Sequence, residues 1–569
     1  MPTAADTAPL PAIRYSSRDL MAGRPLIVGL TVATQTFFEA YVRNHPGRTI
    51  TGYVRDQATY EDMKALIGEI TGRPELARGI GPRSRDMLAQ CGAVLMQDPA
   101  IEREARHRRD PRAYSLIGLT HSLSSRESWG EIQRYALAPL QPWDALVCTS
   151  RAARAVVDRL LDAADEALAR AGLPSPVPRP ARPIIPLGID APRLAGDPER
   201  RAAWRARHGI AADAVVVLFF GRLSMHAKAH PFAMFTAVGE AARALGRPLE
   251  FVLAGQFATG SIRQAFQGLA DDVSDAVRTT FVENPDNDER RSALSGADIF
   301  LSLADSIQET FGLAPVEAMA AGLPVVVTDW DGYRDTVRDG IEGFRIPTMM
   351  APPPAARGAQ RSYLGEAVDY DRFCAVMGQM VSVDIRAAAA AIRGLAADPE
   401  RRREMGAAGV ERARALFDWP AVMQHWRQLW TGLAEIRAAA PATRPPTAEP
   451  FAIAPPDPLD LFRSFPTRMV GEDDRVRLTN ADAAAVVAAC REAGSFRYAF
   501  AHLPAADRFE ALLAAIARRP DQPVRDLLAA FPGQRRAEVL RMLLFLGKRD
   551  LVRIAAPAAA GRYSSAAIG

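Results

Sequence analysis

Residues 309–332 read ETFGLAPVEAMAAGLPVVVTDWDG. Glu309 and Glu317 have seven residues between them and bracket a small, apolar, turn-prone stretch around Gly312 and Pro315. After Gly322 the chain runs through Leu323 and Pro324 into VVVT, a β-branched run that reads as a buried strand. The stretch therefore predicts a loop carrying Glu309, a helix over 312–322 carrying Glu317, and a strand within 323–332. A helix that opens at a strand end leaves its first N–H groups unpaired. Those near Gly312 and Leu313 suit an anionic group. Two carboxylates on either side suit the hydroxyls of a ligand with two polyol parts.

The same alternation extends outward. PLIVGL (25–30) reads as a strand, followed by a loop GLTVATQ (29–35) and a helix TFFEAYVRN (36–44). WDALVCTS (143–150) reads as a buried strand and 151–168 as an amphipathic helix. The prolines of PSPVPRPARP (174–183) interrupt the pattern, and IIPLGID (184–190) resumes it as a short strand. A second series follows in AVVVLFFGRL (214–223), LEFVLAGQ (249–256), ADIFLSLA (297–304) and LPVVVTDWDG (323–332). Two runs of βα units predict an α/β protein with two facing Rossmann-like domains, 1–190 and 191–417. Ligands of such sheets collect at the carboxyl ends of the strands.

Several polar residues fall at those ends. FFGRLSMHAKAHP (219–231) places Arg222 and Lys228 past its strand, two cations that suit a diphosphate. Asp305 and Ser306 share a strand end with Glu309, and the turn Trp330–Asp331–Gly332 follows the next strand. In the first half, IGLTHSLSSRESW (117–129) presents His121 after a strand, and Thr31, Thr34 and Gln35 offer hydrogen bonds. His226 and His230 read as neighbours of Lys228 without a catalytic part. Asp329 and Asp331 form an Asp-x-Asp that could hold a divalent ion. Arg222 and Lys228 offer a metal substitute, so no metal is expected.

Composition narrows the classes. The 569 residues exceed one core and suggest three domains. Seventy basic residues against 66 acidic ones give no case for nucleic acid as the main partner. Cys91, Cys148, Cys374 and Cys490 are scattered without metal-ligand spacing and read as reduced thiols. No apolar run is long enough for a membrane span, and MPTAADTAPLPAIRYSS lacks the pattern of a signal peptide, so a cytoplasmic protein is expected. The basic stretch REARHRRDPR (103–112) has no matching apolar face and reads as a solvated helix end rather than a membrane contact.

GRLSMHAK, ETFGLAPVEAMAAGLPVV, IPLGID and FDWPAVMQHWRQLW (417–430) resemble the GT-B glycosyltransferases, specifically the retaining group with the E-x7-E motif. The resemblance spans residues 20–436 and is densest in the second half. It implies two Rossmann-like domains with the site in the cleft, the second binding a nucleotide-sugar and the first mostly the acceptor. It implies that Arg222 and Lys228 hold the diphosphate, that Glu309 contacts the donor sugar and Glu317 the ribose, and that His121 lies near the reacting carbon. Gly312, Leu313, Thr31 and Gln35 complete the expected binding set, with no metal and no cofactor. The donor is expected to be a UDP- or GDP-sugar and the acceptor a glycan, a lipid-linked group or a protein. A nucleotide-sugar epimerase, a phosphorylase and a non-catalytic nucleotide-sugar-binding or assembly protein are the alternatives on this fold. A phosphorylase would need a pyridoxal phosphate lysine, for which the sequence offers no candidate.

The chain departs from the family pattern in three places. GLTVATQ carries one glycine where relatives have a glycine-rich loop, and residues 350–380 form an insertion read either as a cleft rim or as a surface loop. After a crossing helix at 418–437 and a Pro/Ala linker at 438–458 comes a third, mainly helical domain, 459–569. Its three helices followed by LVRI match the order of a winged-helix module, with Arg535 and Arg536 opening a recognition helix. A helical accessory module for a partner or for oligomerisation shares that order and is the preferred reading, because one short basic cluster is thin support for DNA.

Overall fold

The computed structural model describes residues 10–16, 29–173, 177–352, 355–441, 470–479, 506–531, 536–548 and 551–557. By its internal contacts the chain divides into two compact units, Met1–Ala452 and Ile453–Gly569.

The first unit contains two parallel six-stranded sheets. One is formed by Ala12–Arg14 (β1), Ile50–Tyr53 (β2), Ala77–Ile80 (β3), Ala93–Leu95 (β4), Ser115–Leu119 (β5) and Ala145–Val147 (β6). Its order is β3-β2-β1-β4-β5-β6. The other is formed by Val216–Phe220 (β7), Leu249–Gly255 (β8), Val277–Glu283 (β9), Ile299–Ser302 (β10), Val325–Thr328 (β11) and Gly343–Ile346 (β12), in the order β12-β11-β10-β7-β8-β9. Counted from its own first strand, the second sheet has the order of the first, read from the opposite edge. That is the Rossmann order, in which strand order reverses beside the first strand and opens a crevice there. The two crevices fall between β1 and β4 and between β7 and β10. The central strands are almost continuously apolar because helices cover both faces. Val217, Leu218, Phe300, Leu301, Val326 and Val327 are all fully buried. The arrangement is two Rossmann-like sheets within one unit, as the sequence predicts.

Trp419–Ala439 is a helix that leaves the second core and returns to the first. Trp419 and Trp426 pack edge-on against Phe37 at centroid distances of 6.0 and 5.0 Å. Each buried ring contributes on the order of 1.5–3 kcal/mol to holding that crossing. Asp418 anchors the start by accepting from the N–H of Ala191 at 3.0 Å.

Three readings change. Gly29 and Leu30 do not end a strand; they open the helix Gly29–Arg43, so GLTVATQ is helical rather than a loop. Residues 25–28 of the expected strand lie outside the described residues, and the first strand is the three-residue β1, upstream. IIPLGID forms isolated bridges, Ile184 with Cys148 and Ile189 with Asp418, rather than a strand, because Pro186 cannot donate to a ladder. Arg108, within the stretch read as solvated, is 3% exposed. Its guanidinium forks onto Asp144, two bonds of 2.7 Å, and this carboxylate also accepts from the N–H groups of Leu116 and Gln141 at 2.8 Å.

The second unit combines helices Ala506–Arg518, Val524–Ala529 and Arg536–Lys548 with an antiparallel sheet of Arg475–Leu478, Gln522–Pro523 and Val552–Ala555. Phe509, Leu512, Ile516, Leu527 and Leu543 form its core. The helices follow the sequence pattern, whereas the strands Arg475–Leu478 and Gln522–Pro523 are too short to carry one. Arg536 begins its helix; Arg535 lies outside the described residues. Cys490 does too, and the other three cysteines are free and buried.

Candidate active site

The crevice between β7 and β10 assembles most of the charged residues. Beyond β7 the chain turns through Gly221–Arg222 and reaches Lys228. Beyond β10 it runs from Leu303 to Glu309 and then enters the helix Leu313–Ala320. Lys228 Nζ donates to Glu309 Oε2 at 2.6 Å, with the lysine side chain 30% and the glutamate 11% exposed. Arg222 donates to Gln308 Oε1. Ser306 Oγ donates to the carbonyl of His226 at 2.8 Å, and Trp330 Nε1 donates to that of Ser306 at 3.0 Å, which ties the three loops together.

The helix after Glu309 starts at Gly312, whose φ is 87°. A Cβ there would lie 2.0 Å from the Tyr333 ring, so only glycine permits the turn and the close approach. Gly312 has no side chain to cap the helix, and the N–H groups that follow are left for a ligand.

Glu317 lies inside that helix, 7% exposed, ion-paired with Arg290. The Arg290 guanidinium in turn lies 4.5 Å from the centroid of Phe220, the last residue of β7. Nothing in NDERRSALSG (287–296) marks Arg290 as part of a site. Only the packing of that helix beside β7 brings it there.

Two carboxyls near the crevice are held toward their neutral forms. Burial pushes Asp305 up to about 7, although the N–H of His230 donates to its Oδ1 at 3.1 Å. Burial, with the charge of Glu309 beside it, raises Asp331 well above the usual carboxylate range. Asp331 has φ of 48°, in the left-handed region. The Asp329 carboxylate stands between Arg334 at 3.6 Å and Arg345 at 3.4 Å. The Asp-x-Asp is thus split: one member is paired with two arginines, and burial raises the carboxyl of the other.

The first domain contributes differently. His121 follows β5, and burial pushes its imidazole down to about 4, against the opposing pull of the Gln97 backbone and the Asp98 charge. Its Nε2 is buried without a hydrogen-bond partner among the described residues, as is Gln97 Oε1. Gln97 follows β4 and lines a narrow pocket with Tyr15, Thr34 and Phe38. Gln35 also borders this pocket, but its amide donates to Glu39 at 3.1 Å on the exposed side. Thr31 lies on the same helix; its side chain is outside the described residues. Gln97 escaped the sequence reading because MQD after a three-residue strand carries no pattern.

A chain of hydrogen bonds joins the two crevices. Ser122 and Ser124, just past His121, meet the hydroxyl of Tyr370, which accepts from Gln308, whose oxygen holds Arg222. Tyr370 comes from the insertion. On another side, Ser150 Oγ donates to the carbonyl of Thr310 at 2.7 Å, and Arg151 pairs with Asp335 at 2.6 Å. His226 Nε2 lies 3.4 Å from Asp371, and His230 caps the helix Pro231–Leu245, so each has a structural partner.

Residues 200–353, which carry Arg222, Lys228, Glu309 and Glu317, match the family described as Glycosyl transferases group 1. The chain is similar to a D-inositol 3-phosphate glycosyltransferase of Geodermatophilus obscurus, 26% identical over 370 residues, 60% of this chain and 71% of that protein. A protein of the same name from Nocardia farcinica is 31% identical over 165 residues, 29% of this chain and 36% of the relative. Among solved structures, Anabaena Alr3699/HepE in complex with UDP aligns with a TM-score of 0.49 at 14% identity, covering 74% of this chain and all of that one.

Proposed function

On the premise that residues 200–353 belong to the glycosyl transferases group 1 family, we propose that this protein is a retaining, metal-independent glycosyltransferase. It moves a sugar from a UDP- or GDP-sugar to a hydroxyl-bearing acceptor. The observation that carries this reading is the crevice between β7 and β10, where Arg222, Lys228 and a helix N-terminus converge beside Glu309 and Glu317.

Departure of a nucleoside diphosphate develops negative charge on the leaving oxygen, and fixed cations in a partly dry crevice stabilise it as it forms. Lys228 is paired with Glu309. A bound diphosphate competes for the ammonium and frees a Glu309 oxygen to accept from a sugar hydroxyl. Glu317, oriented by Arg290, accepts from the ribose. The N–H groups after Gly312 complete the anion cradle.

His121 remains neutral through the physiological range, so its open Nε2 serves as a hydrogen-bond partner and not as a cation. The acceptor hydroxyl approaches from the first domain, over Gln97 and Thr34, attacks the face that the diphosphate leaves, and gives its proton to the departing diphosphate oxygen. No carboxylate in the set is free of a partner and positioned as a second nucleophile, which favours front-face attack over double displacement. The split state of Asp329 and Asp331 supports metal independence. The relatives' name makes a phosphorylated polyol the first acceptor to try.

The test is incubation with UDP- and GDP-sugars, with a panel of polyol acceptors and excess chelator, the product followed by NMR. Transfer in chelator with the donor's anomeric configuration kept is the expected result. Loss of activity with EDTA and recovery with magnesium would promote Asp329 and Asp331 to metal ligands, and an inverted product would overturn retention.

A further inference from the structure

The insertion leaves the second domain after β12 on a two-stranded ribbon, Thr348–Met350 (β13) against Val381–Val383 (β14). Between these strands it folds into two helices, Arg357–Leu364 and Tyr370–Gly378. It does not lie on its own domain alone. Tyr363 stacks on Phe373 with centroids 4.4 Å apart, and Trp129 of the first domain stands edge-on to both rings at 5.9 and 5.8 Å. The N–H of Arg126 donates to the Tyr363 hydroxyl at 3.2 Å, and the Arg126 side chain pairs with Glu366 at 3.1 Å.

The inner end of this contact is polar. The Tyr370 hydroxyl lies 2.6 Å from Ser124 Oγ, 3.1 Å from Ser122 Oγ and 3.0 Å from Gln308 Nε2. A phenol has one proton and two lone pairs, so these three partners use it to capacity. Arg222 only donates, which fixes the Gln308 amide with its oxygen toward Arg222 and its nitrogen toward Tyr370. A single hydroxyl thereby locks a serine loop of one domain, a glutamine of the other and, through that glutamine, the Arg222 guanidinium.

We propose that the ribbon β13–β14 and the helices Arg357–Leu364 and Tyr370–Gly378 form a clasp across the cleft, in which Tyr370 is a positioning residue that sets Arg222 through Gln308 and registers it with the loop that carries His121. The role of Arg222 in transfer rests on the function proposed above, whereas the clasp itself does not. With the clasp engaged, the cation that meets the leaving group and the loop that meets the reacting sugar are fixed relative to each other. A misplacement of a fraction of an ångström at such a site is felt mainly in turnover.

The test uses Tyr370→Phe in the full chain, which keeps the ring and removes only the hydroxyl. Turnover should fall on the order of tenfold with donor KM changed less than about threefold. Tyr370→Phe combined with Gln308→Ala should be no slower than Gln308→Ala alone, because both cut the same link. Amide hydrogen exchange should quicken at residues 120–126 and 305–309 while the global melting transition is unchanged. Additive effects of the two substitutions, or a tenfold rise in KM at unchanged turnover, would overturn the positioning role. Unchanged exchange in both segments would overturn the clasp. If the unsubstituted protein turns over no nucleotide-sugar, the glycosyltransferase reading fails, and the exchange measurement still decides the clasp.

Discussion

The two sheets of the first unit share one strand order and differ in what stands at the crevice that order creates. Between β7 and β10 the groups are ionic: Lys228 with Glu309, Arg290 with Glu317, and Arg222 held by Gln308. Between β1 and β4 the pocket lining is neutral, Tyr15, Thr34 and Gln97, with the neutral His121 beyond β5, and the charges beside it, Arg14 and Asp98, form a loose, exposed pair at 3.8 Å. The first domain does contain a buried ion pair, Arg108 with Asp144, but every oxygen of that carboxylate is occupied. Satisfied buried charge belongs to the framework, whereas pairs that a ligand can open and atoms left unpaired mark the site. The same topology thus carries different side chains at its two crevices, and the proposed function assigns the diphosphate to the ionic one and the acceptor hydroxyl to the other.

The sharpest way to break this contrast is to remove the cation of the ionic crevice. Lys228→Ala should lower kcat with donor by about two to three orders of magnitude, the size seen when one charge-stabilising donor is lost. A change under tenfold in steady-state kinetics would show that the diphosphate does not depend on this lysine. The two glutamates come next. Glu309→Ala should act mainly on kcat and Glu317→Ala mainly on donor affinity, each by on the order of 1.5–3 kcal/mol. Equal effects of both on nucleotide affinity by calorimetry would mean that their roles are divided wrongly.

Acid–base behaviour should separate the domains by sign. His121 is held down to about 4 from an ordinary 6.5, so its contribution is present above pH 6.5 and lost as pH falls toward 4. Asp305 is held up at about 7 from an ordinary 3.8, so its contribution is present below pH 3.8 and lost as pH rises through 7. His121→Gln should flatten the acid limb of the stability curve and Asp305→Asn the limb between pH 4 and 7, each by on the order of 1–3 kcal/mol in urea titrations. Matching slopes in the variants and the parent would remove both groups from the account. The smallest effect is expected from the second unit. A chain ending at Pro441 keeps the crossing helix and both crevices and should hydrolyse donor within about twofold of the full chain. A well-folded but inert product would make the second unit part of the catalytic machinery.

Much of the second domain was legible because its strands are buried on both faces. VVLFF, IFLS and VVVT are apolar except for a closing Ser302 and Thr328, and the residues that follow each run are the candidate site. The first domain was harder to read. Its strands β1, β4 and β6 have three residues each, too few for a period, and PLIVGL offered a more apolar run than AIR. Local propensity favoured the longer run, but AIR is the segment that pairs with both β2 and β4. The insertion was legible only as an insertion, since its aromatic residues find their partners in another domain.

By itself the sequence determined the two-domain α/β architecture, the positions of Arg222, Lys228, Glu309 and Glu317 beside strand ends, and the helix that closes the first unit. These follow from near-neighbour patterns: apolar runs, helix starts, and charges a few residues past a strand. Only the tertiary structure decided that Arg290 meets Glu317, that Asp329 is enclosed by two arginines, that His121 is kept neutral, and that Tyr370 bridges the cleft. Each of these depends on burial or on contact between residues distant in the chain. Tyr370 and Ser124 are 246 residues apart. Desolvation and pairing across such a distance are set by how the domains pack, and no local pattern records them.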